Sequence, residues 1–143
     1  MRTNAAGIAL IKKFEGVRLK AYKCPAGVWT IGFGHTGPDV YAGLEINERV
    51  AEQLLIGDLL KFEHGVEELL DGVPASFNQF SAMVSLAYNI GLGAFAKSSV
   101  LRHHQQGNLK LAAEAFLLWN KAGGAVLPGL TRRRMAERGL YLS

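Results

Sequence analysis

The sequence predicts a single α+β domain of 143 residues, mostly helical, with a small antiparallel hairpin near its start. Three observations predict it. Apolar residues recur at helical spacing along most of the chain. One short stretch, 19–33, is instead rich in β-branched and aromatic residues around a turn. No repeat, low-complexity tract or linker divides the chain. The expected division is a hairpin lobe over about 16–46, a connecting helix over about 47–64, and a helical lobe over about 74–143 that takes in the N-terminal helix.

The first helix, over 4–14, has Asn4 as a candidate N-cap, Ala6, Leu10, Ile11 and Phe14 at helical spacing, and Gly16 as its stop. Two short strands, 19–23 and 28–33, flank the turn-forming run Cys24-Pro25-Ala26-Gly27. Residues 34–43, with Gly37-Pro38-Asp39, read as loop or a short third strand. Asn47 then caps a longer helix with Val50, Ala51, Leu54, Leu55, Leu59 and Phe62 inward, running to about 64 with a possible continuation to 70. Asp71-Gly72-Val73-Pro74 is a break. The helix over 77–90 is apolar on most of its surface and belongs in the middle of a bundle. Three more helices are expected over 99–106, 109–119 and 130–139, punctuated by Gly107, Asn108 and Leu127-Pro128-Gly129.

Composition excludes several classes. With 49% hydrophobic and 20% charged residues the chain is not disordered, collagenous or a coiled coil. The longest uncharged apolar run near the start, 5–11, is far below the roughly 17–25 residues of a membrane span, so stable membrane insertion is not expected. Lys12 and Lys13 follow too soon for a secretory leader, and the single Cys24 has no partner for an internal disulfide, so a reducing cytoplasm is expected. A net charge of +4 favours anionic partners: nucleic acid, anionic lipid or an acidic wall polymer. The excess sits over 2–23 and in Arg132-Arg133-Arg134 with Arg138; such a run on a helix is more often a solvated face than a nucleic-acid site. No zinc spacing, P-loop or dinucleotide fingerprint occurs. His103 and His104 diverge by about 100° on a helix and cannot share a metal, so neither metal nor cofactor is expected.

Glu15, at the end of the first helix, would by itself be a surface carboxylate, and a lone Cys24 a small buried hydrophobe. Their company changes this. Cys24 sits in the hairpin turn and Thr30 in the return strand, about 7–10 Å apart along the strand direction. A carboxyl group at the mouth of a sheet, facing a second polar group across a sugar-sized gap, is the geometry of a glycosidase.

The stretch from Glu15 through Cys24 and Thr30 to Ile31-Gly32-Phe33-Gly34-His35 resembles the signature of the phage-type lysozymes, the endolysins of glycoside hydrolase family 24. Their pattern is Glu, eight residues, Asp or Cys, five residues, Thr, then Ile-Gly-x-Gly-His. The resemblance continues at 77–80, 86–91, 113–119 and in Leu127-Pro-Gly-Leu-Thr-Arg-Arg-Arg, and so covers essentially the whole chain. It implies a lysozyme-like fold with a hairpin lobe and a helical lobe flanking a cleft. It also implies a muramidase that cuts the β-1,4 bond between N-acetylmuramic acid and N-acetylglucosamine in peptidoglycan during lysis of the host cell.

In that resemblance Glu15 is the general acid, Cys24 takes the place of the second catalytic group, and Thr30 helps to hold the attacking water. An arginine of the 132–134 run, with Arg132 and Arg133 as candidates, reaches back to Glu15. Tyr88 and Asn89 match positions lining the sugar cleft; the bland alternatives are a core aromatic and a helix cap. Cys24 keeps three possible roles: a base, a group that only positions water, or a nucleophile, the first two giving inversion and the third retention. Asp58, on the otherwise apolar face of its helix, needs a partner, and the family arrangement brings His35 to it as a structural ion pair. The implied setting is the host cytoplasm until a separately encoded membrane-hole protein gives access to the periplasm and wall, with the enzyme acting as a monomer and without nucleic acid.

Two other functions compete. A cysteine peptidase or amidase would use Cys24 with His35 and leave Glu15 without a role. A cationic wall-binding module without catalysis would make the Glu15 to Thr30 spacing an accident.

Overall fold

The computed structural model describes residues 1–143. Its elements run α1 (Ala5–Glu15), β1 (Arg18–Lys23), β2 (Trp29–Gly32), β3 (His35–Thr36), α2 (Glu48–Leu70), α3 (Phe77–Ile90), α4 (Leu92–Ala96), α5 (Ser99–Gln105), α6 (Leu109–Phe116), β4 (Lys121–Ala122), β5 (Ala125–Val126) and α7 (Pro128–Leu142). The helix α3 is the axis of the molecule. Every side chain from Phe80 to Ala87 is buried, and α1, α2, α4 and α7 pack around it. A helix apolar all round is stable only in such a place.

Local chemistry sets the ends of these helices. The Asn4 side chain accepts the Gly7 N–H at 2.9 Å, the Asn47 side chain that of Val50 at 2.9 Å, and Gly16 closes α1 at φ 69°. Ser76 and Gln79 form a reciprocal capping box at the start of α3, with distances of 3.0 and 2.8 Å. Pro128 occupies the first turn of α7, where its missing N–H is no loss.

Several boundaries differ from the sequence expectation. The connecting helix does not stop near 64: α2 continues to Leu70, because Val66 and Leu70 extend its buried face, and it ends where Asp71 turns left-handed at φ 50°. The short α4 was not anticipated; five residues are too few to show a period, and it is fixed by burial of Phe95. The chain after α6 does not remain helical to 119. It forms a small hairpin, β4 with β5, around Gly123 and Gly124, whose φ values of 59° and 80° suit a tight two-residue turn. The last helix spans Pro128–Leu142 and not 130–139.

The front lobe is an antiparallel sheet in the order β1-β2-β3. Tyr22 pairs with Thr30 and Lys23 with Trp29, while Thr30 and Ile31 pair with Thr36 and His35. Ile31 is fully buried, and Gly32 lies against Ala51 of α2, where a Cβ would sit 3.5 Å from the Ala51 backbone. A polar link adds to this contact. His35 Nδ1 lies 2.8 Å from Asp58 Oδ2 on α2, and its Nε2 lies 3.0 Å from Asp39 Oδ2. Burial by itself would lower the pKa of this imidazole, but the hydrogen bonds and charges of Asp58 and Asp39 together outweigh it and raise the value above the ordinary 6.5.

Two stability measurements follow from these contacts. A Cβ on Gly7 would stand 2.7 Å from Ser81 Cβ and 2.7 Å from Thr3 Cγ2, where α1 crosses α3. Gly7→Ala should therefore destabilise by about 1–3 kcal/mol, lowering the melting temperature by roughly 2–4 °C per kcal/mol; an unchanged melting temperature would mean that the crossing is loose. For His35 the folded pKa lies above the unfolded one, so its stabilisation is fully present below about pH 6.5 and is lost as pH rises through the folded value. The stability difference between the parent chain and His35→Asn, measured by denaturant unfolding, should accordingly shrink on going from mildly acidic to alkaline pH.

Candidate active site

Glu15 is the last residue of α1, and its side chain keeps 21% of its surface exposed. It opens into a cavity of about 480 Å³ lined also by Gly34, Asp58, Phe62, Tyr88 and Asn89. A second recess of about 450 Å³ shares Glu15 and Asn89 and is walled by Phe14, Leu127, Arg132 and Arg133. The carboxylate thus stands on the wall common to two hollows of sugar size. The turn from β2 to β3 presses close to it: at Gly34, with φ 90°, a Cβ would lie 3.4 Å from Glu15 Oε1 and 3.6 Å from the Tyr88 hydroxyl.

Tyr88 donates its hydroxyl proton to the Phe33 carbonyl at 2.9 Å and packs edge-on against Phe62, with ring centroids 5.2 Å apart. Burial first, then the charges of Glu15 and Asp58, hold its pKa far above the phenol range, so it remains a donor at any working pH. Asn89 lines both hollows, and its Oδ1 accepts a hydrogen bond from Arg134 Nη2.

The arginine run does not form a solvated face. Arg132 is exposed and lines the second recess, whereas Arg133 and Arg134 are buried, Arg134 completely. Arg133 reaches Glu15: Nη1 donates to Glu15 Oε2 at 2.5 Å, Nη2 to the Ser85 carbonyl at 3.2 Å, and Nε to Glu137 Oε2 at 3.3 Å. Arg132 makes no contact of this kind, because on a helix it points about 100° away from Arg133. Sequence reasoning missed Glu137 and Ser85, and it included Arg134 only in the run expected to reach Glu15, whereas Arg134 turns to Glu137 and Asn89. The signal available was the spacing of Glu137 three and four residues beyond the two arginines, which puts all three charges on one side of a helix.

Thr30 belongs to β2 and Cys24 to the turn just beyond β1, and they line neither hollow. The pairing of Tyr22 with Thr30 puts Cys24, two residues on, on the same face as Thr30, a diagonal neighbour across the strands. Cys24 closes the turn with its own backbone, its N–H donating to Val28 O at 3.0 Å and its carbonyl accepting from Gly27 at 2.8 Å. The N–H of Val28, then that of Ala26, lowers the Cys24 thiol pKa below its ordinary value. The Thr30 hydroxyl, itself buried, donates to Val28 O at 3.0 Å and keeps its lone pairs free to accept. His35 has both ring nitrogens on carboxylates and does not touch Cys24. No three His, Cys, Asp or Glu groups are placed to hold a metal ion.

The chain as a whole is similar to known proteins. Residues 12–137 match the phage lysozyme family model. Over its whole length the chain is 48% identical to the endolysin of Bacillus phage B103, of which it spans only 55%. It is 43% identical to the endolysin of Salmonella phage P22, with 100% of this chain and 99% of that one covered. Among solved structures, the muramidase domain of SpmX from Asticaccaulis excentricus superposes with a TM-score of 0.93 at 40% identity, over 99% of this chain and 98% of the other. With matches of this extent in both sequence and fold, the chain belongs to the phage lysozyme family.

Proposed function

We propose that the chain is a muramidase that hydrolyses the β-1,4 bond between N-acetylmuramic acid and N-acetylglucosamine of peptidoglycan, and that it serves as an endolysin in the lysis of a bacterial host. The observation that carries this reading is Glu15, a carboxyl group held at 2.5 Å by a buried arginine on the wall between two sugar-sized hollows. The endolysin of Salmonella phage P22 and the SpmX muramidase domain, both matched nearly end to end, support the same activity. Access to the wall falls in this reading to a separately encoded membrane-hole protein, and a single chain suffices for the chemistry.

Glu15 protonates the glycosidic oxygen as the bond breaks. Its position at a helix end, pinned by Arg133 and flanked by the side-chain-free Gly34, leaves room for the leaving sugar oxygen. Cys24 and Thr30 then supply the water. The Val28 and Ala26 N–H groups favour the thiolate of Cys24, the form that can accept a hydrogen bond or proton from this water, and the free lone pairs of Thr30 hold the other hydrogen. Water adds at the anomeric carbon on the face opposite the departing oxygen, its extra proton passing to Cys24. Tyr88 and Asn89 shape the groove, and the His35 and Asp58 pair anchors the sheet lobe beside it. The peptidase alternative lacks its base, since His35 is occupied on both nitrogens by carboxylates.

Three outcomes test this. Glu15→Gln, which keeps the shape and removes the proton, should clear a cell-wall suspension at less than about a hundredth of the parent rate, given the usual 10²–10⁴-fold worth of such a transfer. Digested wall should gain reducing sugar ends and no new amino termini. The first-formed product, read by proton NMR before mutarotation, should be the α anomer; Cys24→Asp should stay active and Cys24→Ala should lose most activity. A β product would make Cys24 a nucleophile and leave the muramidase reading standing.

A further inference from the structure

Glu137 is a carboxylate with no solvent exposure, and the reaction above makes no use of it. It lies on α7 one turn beyond Arg133 and Arg134. Its Oε2 accepts from Ser85 Oγ at 2.5 Å and from Arg133 Nε at 3.3 Å, and its Oε1 stands 3.1 Å from Arg134 Nη1. Arg133 is therefore held on two edges, by Glu137 and by the Ser85 carbonyl, while Nη1 is left to face Glu15. Arg134 extends the chain of contacts to Asn89 on the cavity wall.

Stability alone does not explain this arrangement, because a buried ion cluster is commonly no more stabilising than apolar side chains of the same volume. The cluster instead ends on the one carboxyl that must carry a proton. We propose that Glu137 is a positioning residue for the reaction at Glu15: it fixes the direction of the Arg133 guanidinium and balances positive charge that would otherwise draw the proton off Glu15. The proposal rests on the reading of Glu15 as the general acid.

The charged and titratable groups around Glu15 are Arg132, Arg133 and, more remotely, Arg134 from α7, Tyr88 from α3, Asp58 and Lys61 from α2, and Lys13 from α1, with His35 of β3 bound to Asp58. Those around Glu137 are Arg133 and Arg134, with the Ser85 hydroxyl from α3. Burial pushes the Glu137 carboxyl up from its ordinary value, against the pull of Arg134 and then Arg133. With Glu137 neutralised, two guanidiniums would face the single carboxylate of Glu15 and favour its ionised form.

The test is the pH dependence of kcat/KM on cell walls, whose alkaline limb reports loss of the general-acid proton. Glu137→Gln should move that limb to lower pH by on the order of one pH unit, the size expected for removing one charge that acts across a single guanidinium in a partly screened interior. Glu137→Asp, which keeps the charge, should leave the limb close to its parent position, and Arg134→Gln should move it the opposite way. Glu63→Gln is the control: this other buried carboxylate accepts from Thr3 Oγ1 at 2.6 Å, so its loss should lower stability and leave the limb in place. A folded Glu137→Gln enzyme with an unmoved limb overturns the proposal; should that variant fail to fold, an unmoved limb in Arg134→Gln does the same. A limb moved equally by Glu63→Gln also overturns it. If Glu15→Gln keeps activity, the general-acid reading falls; if Glu15→Gln is inactive and the limb stays put, the positioning role falls alone.

Discussion

The molecule is organised around a nearly buried set of four charges, in which Arg133 meets Glu15, both Arg133 and Arg134 meet Glu137, and Glu15 is the member most open to solvent. Taking a guanidinium or carboxylate out of water costs several kcal/mol, and a lone buried charge is intolerable. The set is therefore possible only when α7, α1 and α3 meet in one register, since Glu15 comes from α1, Ser85 from α3 and both arginines from α7. A small slip of α7 along α3 would strand two guanidiniums in the core. The last helix of the chain is thereby locked to the end of the first.

The fold was legible where its cause is local. Asn4, Asn47 and Ser76 cap helices because side-chain oxygens reach N–H groups three residues on. The apolar surround of α3 and the Pro-Gly turn of the hairpin announce themselves in the same way. The site was legible in part. Glu15, Tyr88, Asn89 and Asp58 line one cavity, and Arg133 was among the candidates to reach Glu15.

What escaped was set by distance along the chain. Arg133 and Glu15 are 118 positions apart, and the one local clue that separates Arg133 from Arg132, Glu137 four residues on, says nothing of Glu15. A triple arginine looks like a solvated face until the carboxylates that neutralise it are known. The α4 turn and the β4–β5 hairpin were missed for a different reason: elements of five residues and of two paired residues carry too few positions to display a period. Cys24 shows the converse limit. Its spacing to Thr30 is visible in sequence, but only the pairing of Tyr22 with Thr30 places the two on one face.

The enclosure of α3 from Phe80 to Ala87 divides the molecule by how readily its parts open. Backbone amides in a helix shut in on every side exchange with solvent only when the whole body comes apart, whereas a three-stranded sheet with few buried side chains can lift in a far cheaper excursion. The sheet is tied to the rest chiefly through Ile31, Gly32 against Ala51, and the His35 carboxylate contacts. A lifted sheet would leave the arginine cluster, anchored on α3, assembled, so that opening of the front lobe and integrity of the cluster are set by two separate equilibria.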